Sequence, residues 1–158
     1  IPLVEFFDGH SPPYDKNVLL ALLKKGADPN TYEYEPLLDF AITVSLDLAA
    51  SKELFSILIQ HGADPKQSNA LCYREIQHEP ELVQFLIEQK TDPNKIWYSN
   101  RRPLHCAADN DANEAAILLL KAGVNPNLKD SDGKKPIDIA RKNENFKLVK
   151  ILKNHQKK

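Results

Sequence analysis

The sequence predicts an all-α repeat, pairs of helices stacked side by side and punctuated by turns, and three observations carry that prediction. Four related pentapeptides, "GADPN" (26–30), "GADPK" (62–66), "KTDPN" (90–94) and "GVNPN" (123–127), each follow a run rich in leucine and isoleucine. The steps from Asp28 to Asp64, Asp64 to Asp92 and Asp92 to Asn125 are 36, 28 and 33 residues, the period range of helical repeat proteins. The last segment interleaves lysines with apolar residues as "FKLVKILK", the pattern of a helix dry on one side and wet on the other.

In chain order, "IPLVEFF" and "DGHSPPYDKNVLLALLKKG" read as an incomplete first unit. Asp15 or Asn17 is positioned to cap a helix carrying Val18, Leu19, Leu20, Leu22 and Leu23, with Pro12-Pro13 in the turn before it. In the second unit "TYEYE" (31–35) precedes "PLLDFA" (36–41), and an insertion around Leu46–Ser51 is expected to extend the first helix or the turn between helices. The third unit, "NALCYREIQHEPELVQFLIEQK", is short and leaves almost no room for a finger between Lys66 and Ala70. Its Leu82, Val83, Phe85, Leu86 and Ile87 still mark a buried second helix.

The fourth unit, "RRPLHCAADNDANEAAILLLKAGVNPN", is the most regular. Pro103 opens a helix where no amide donor is needed, the alanines allow close helix pairing, and Gly123 supplies the positive φ of a helix C-cap. The fifth, "NLKDSDGKKPIDIARKNENFKLVKILKNHQKK", repeats the scheme through Asp130, Gly133, Pro136, Ile137, Ile139 and Ala140, and ends in polar residues as a terminal cap. Through Pro103, Leu104, His105, Ala107 and Ala108, the fourth unit resembles the ankyrin repeat family, and the fifth follows it. The resemblance implies an ankyrin-repeat solenoid of antiparallel helix pairs with short β-hairpin or turn fingers. The units it suggests are 1–29 (partial), 30–65, 66–93 (degenerate), 94–126 and 127–158 (cap), one domain over 1–158. The third unit departs from the family, with Ala70 for the proline and Arg74 and Glu75 for the pairing alanines.

Net charge is −1, but residues 129–158 hold ten Lys/Arg against four Asp/Glu, and the rest of the chain is acidic. The lysine-rich end reads as a solvated helix face; no arginine-rich motif suggests nucleic acid, and no apolar run suggests membrane insertion. Cys72 and Cys106 form neither a disulfide framework nor a metal knuckle, which points to packing thiols in a reducing compartment, cytoplasmic or, for a secreted effector, host cytosol. Ile1 in place of Met suggests a processed chain or a piece of a longer one, which leaves flanking domains open.

No motif offers catalytic, metal or cofactor chemistry. Asp28, Asp64 and Asp92 recur because the turns recur, and a whole repeat separates them where paired carboxylates would need to share one substrate. His61 fits last-turn hydrogen bonding, and in the family the histidine of "PLH", here His105, ties adjacent units through backbone. What is known of the family implies noncatalytic recognition of a protein, through a face made of fingers and first helices. The residues suited to that face are Ile96, Trp97, Tyr98, Arg101 and Arg102, with Tyr32 and Tyr34 as a second group; aromatic and arginine side chains make wide yet directional contacts. Three readings of Trp97 stay open: partner contact, cover for the shortened unit before it, and neither. An intramolecular spacer or covering segment is the second functional reading, and small-molecule sensing the third.

Overall fold

The computed structural model describes residues 16–30, 36–43 and 47–155. It divides into two compact units, Ile1–Ser68 and Asn69–Lys158. All regular structure among the described residues is helical.

The first unit holds α1 (Lys16–Lys24), α2 (Leu37–Thr43) and α3 (Leu48–Gln60). Asp47, in extended backbone, begins α3 by accepting the Ala49 and Ala50 amides on its carboxylate, both at 3.2 Å. Gly62, at φ 97°, ends it: the Gly62 amide donates to Ile59 O and the Ala63 amide to Leu58 O, each at 3.0 Å. The helices α2 and α3 pack together over Leu38, Ala41, Ile42, Phe55 and Leu58, all nearly inaccessible to water. Burying each of the larger side chains contributes roughly 1.5–3 kcal/mol. An exposed ion pair, Lys16 with Glu53, joins α1 to α3.

Two expectations need correction here, and one proline stands at an unexpected helix position. The insertion does not lengthen the first helix, since α2 has 7 residues, as do the first helices of the regular units; the second helix is the longer one, α3 having 13 residues against 9 in the fourth unit and 10 in the fifth, and positions 44–46 of the turn lie outside the described residues. Pro36 does not open its helix as Pro103 does; the Pro36 carbonyl accepts the Asp39 and Phe40 amides, so Pro36 is the cap and Leu37 takes the place of Pro103. Asn17 lies inside α1 and is not its cap, and Asp15 is outside the described residues.

The second unit holds α4 (Arg74–Gln77), α5 (Pro80–Glu88), α6 (Pro103–Asp109), α7 (Asn113–Lys121), α8 (Pro136–Lys142) and α9 (Phe146–His155). First helices α4, α6 and α8 form one layer and second helices α5, α7 and α9 another, each helix touching its pair-mate and its neighbours in the layer. The seam is dry: Ile76, Leu82 and Leu86, then Ala107, Ala115 and Leu119, then Ala140, Leu148 and Leu152 are all buried. The alanines permit the close approach of α6 and α7, while Phe146 at the start of α9 points outward and is 74% exposed.

The missing length of the third unit falls on its first helix. A 3-10 turn (Ala70–Cys72) and the four-residue α4 stand where the neighbouring unit has a finger and seven helical residues. Buried Gln77 repairs the loss, its amide donating to Leu71 O at 2.7 Å and Pro103 O at 3.0 Å, while its oxygen accepts from Asn110 at 2.8 Å. Asn143, one unit on, reaches the Ala108 and Asp109 carbonyls in a similar way.

Candidate recognition surface

The four pentapeptides share one geometry. Asp28, Asp64, Asp92 and Asn125 each accept the amide two residues on, from Asn30 at 2.8 Å, Lys66 at 3.0 Å, Asn94 at 2.8 Å and Asn127 at 2.9 Å. The preceding residue in the left-handed region is glycine in three cases and Lys90, at φ 69°, in the fourth. The three carboxylates and the Asn125 amide oxygen each serve a turn. Among the described residues no group of three His, Cys, Asp or Glu is placed to hold a metal ion, and both cysteines are buried and free.

The turn after Asn94 leads into a finger that closes where the Trp97 amide donates to Arg101 O at 2.8 Å. Ser99 and Asn100 at its tip are both left-handed, at φ 56° and 57°. One repeat later the Asp130 amide makes the matching bond to Lys134 O at 2.9 Å, and there the Asp130 carboxylate also accepts the Asp132 and Lys134 amides at 3.0 and 2.8 Å. Trp97 occupies the place of Asp130 but has no acceptor to offer. Its finger is instead joined to the next by main-chain donation from Ser131 N to Ser99 O at 3.0 Å and by Asn100 Nδ2 to Lys129 O at 3.2 Å.

This turn lifts Ile96 and Tyr98 into solvent, 58% and 77% exposed, with Trp97 at 38%. The Trp97 ring meets Tyr73 edge to face, centroids 6.2 Å apart at 76°. Arg101 runs back along α6, its Nη1 donating to Asp109 Oδ2 at 2.8 Å with Nε 4.0 Å from Asp130 Oδ2. Its hydrogen bond to Asp109 raises the guanidinium pKa above its ordinary value. Arg102 is half-buried, its Nη1 donating to Asn100 O at 3.3 Å. Ile96, Trp97, Tyr98, Arg101 and Arg102 thus share one loop, while Tyr32 and Tyr34 lie outside the described residues.

His105 braces this loop from below. Its Nδ1 accepts the Arg102 amide at 3.3 Å and its Nε2–H donates to Leu128 O at 3.1 Å, which fixes the neutral tautomer. Burial pushes the imidazole below its ordinary pKa, outweighing the opposite pull of Asp130. Sequence reasoning missed Tyr73 and Asp109 as parts of the surface. Tyr73 sits in the irregular third unit, where no period marks its direction, and Asp109 meets Arg101 only because α6 separates them by its whole length.

A family model described as "Ankyrin repeats (3 copies)" matches residues 46–130 and 70–158. The chain is 34% identical over 86 residues to the potassium channel GORK of Arabidopsis thaliana, covering 54% of this chain and 10% of that protein. It is 32% identical over 116 residues to a putative ankyrin repeat protein of Rickettsia felis, covering 70% and 30%, and 33% identical over 129 residues to the nuclear factor NF-kappa-B p105 subunit of Gallus gallus, covering 77% and 13%. The chain therefore spans under a third of the length of these curated relatives. With paired helices in two layers, the same turn after α1, α3, α5 and α7, and a family model covering most of its length, this chain belongs to the ankyrin repeat family.

Proposed function

We propose that the chain is a noncatalytic recognition module that holds a protein partner on the face formed by its fingers and first helices. The carrying observation is the Ile96–Trp97–Tyr98 tip, three large apolar side chains held in solvent by a turn whose own bonds are complete. Trp97 and Tyr98 are the contact anchors, and Arg101 and Arg102 supply directed donors beside them; Tyr32 and Tyr34 extend the surface in this reading. The unit scheme behind it is five repeats, the first partial and the third degenerate. An adaptor segment of a larger or host-targeted protein is the finer reading, supported by relatives several times its length, one of them the Rickettsia felis ankyrin repeat protein.

The Trp97–Tyr73 contact favours a second reading, in which the tryptophan mainly covers the shortened third unit and the chain serves as a spacer or covering segment. Trp97→Ala separates the two. Recognition predicts lost partner retention in a pull-down with a stability change below about 1 kcal/mol, as for surface positions. A drop of roughly 2 kcal/mol or more with retention unchanged selects the structural role.

A further inference from the structure

Resting on that recognition reading, we propose that the partner segment is acidic: an extended peptide rich in Asp and Glu, with at least one large apolar side chain, lying across the two consecutive fingers. Arg101 and Arg102 stand at the end of the first finger, and Lys134 and Lys135 occupy the same two places one repeat of 33 residues later. The bond from Ser131 N to Ser99 O holds the fingers side by side, so these four positions form a short double row, with the Arg101 guanidinium turned back to Asp109. Next to that row stand exposed Trp97 and Tyr98.

The nearby carboxylates take up one member of it. Asp109 and the buried Asp130 engage Arg101, and Asp138 is paired with Arg141, so Arg102, Lys134 and Lys135 stand against Asp132 at the second tip. Lys134 is exposed, and the Lys135 ammonium has a 3.5 Å contact with a neutral amide, that of Asn127. A row of cations beside an apolar tip selects partners by charge and holds them by burial: like-charged segments are repelled, while acidic ones are steered to the aromatic anchors.

The test screens a random peptide library displayed on phage against the whole chain, with the single tryptophan, Trp97, as a fluorescent reporter for synthetic copies of the recovered peptides. Acidic peptides are expected to dominate, to shift Trp97 emission, to weaken as salt is raised, and to lose about tenfold or more in affinity to Lys134→Glu/Lys135→Glu. That variant changes an exposed finger end, and unchanged circular dichroism checks that it still folds. Recovery of neutral or basic peptides that depend on Trp97 but ignore the double substitution overturns the acidic assignment and leaves the recognition reading standing. No peptide that depends on Trp97 overturns both. Preferential binding of a single-stranded oligonucleotide over the acidic peptides, or Trp97 emission shifts that follow the concentration of the chain alone, likewise overturns it in favour of a phosphate backbone or a second copy.

Discussion

Lys90 bears most directly on stability at the level of single residues, because it holds φ 69° where the equivalent turns place glycine at 85°, 97° and 86°. A left-handed residue with a Cβ costs about 1–2 kcal/mol, and glycine returns part of that through a more flexible unfolded chain. Lys90→Gly should therefore raise the urea midpoint by an amount equivalent to about 0.5–1 kcal/mol, and Gly123→Ala should lower it by a similar amount. At Gly123 an added Cβ meets nothing within 4 Å, so strain alone acts there. A fall in midpoint for Lys90→Gly would contradict the shared turn geometry.

His105 makes a second residue-scale prediction. Its folded pKa lies below the ordinary value, so between that lowered pKa and about 6.5 the unfolded chain binds more protons and stability rises with pH. The contribution is complete above about pH 6.5 and fades as pH falls through the folded value. Urea melts from pH 7 to 5 should show this loss, and His105→Gln, which cannot titrate, should flatten it. A slope unchanged in the variant would assign the effect elsewhere.

Among the helices, α4 is the weak element. Four residues give it a single turn, too short to hold itself, so its order depends on Gln77 and on packing against α5 and α6. Hydrogen exchange should accordingly find the Arg74–Gln77 amides opening well before those of Leu104–Asp109, and Gln77→Leu should widen the gap by leaving the Leu71 carbonyl and the Asn110 amide without their partner. Equal protection in α4 and α6 would refute this. The same comparison shows what the sequence could reveal. The helices α5, α7 and α9 were legible because each is a periodic apolar stripe closed by a local turn, and local chemistry does not depend on what lies across the fold. The place of Pro36 was not legible, because proline fits both the cap and the first helical position, and only the bonds to its carbonyl distinguish them. The extra turn of α3 had a signal, Asp47 directly before Leu-Ala-Ala, while the Trp97–Tyr73 contact had none, since it forms between an irregular segment and a finger.

Over the whole molecule, the energetics are those of neighbours supporting neighbours. In the second unit α9 is the last member of its layer, and Leu148 and Leu152 are fully buried against the rest while the lysines face water. Leu152→Ala should cost about 2–5 kcal/mol, and exchange should rise first in α8 and α9, with α6 and α7 retaining protection. Simultaneous loss in all four helices would show tighter coupling than nearest-neighbour stacking allows.

The bridge between the fingers runs chiefly through peptide atoms, with Ser131 N meeting Ser99 O. Main-chain bonds are indifferent to the side chains they carry, so the identities of positions 96 and 98 can drift while the architecture beneath stays still. Such a scaffold can exchange its vocabulary without rewriting its grammar, and variants diversified at those tips should change what they capture before they change how they melt.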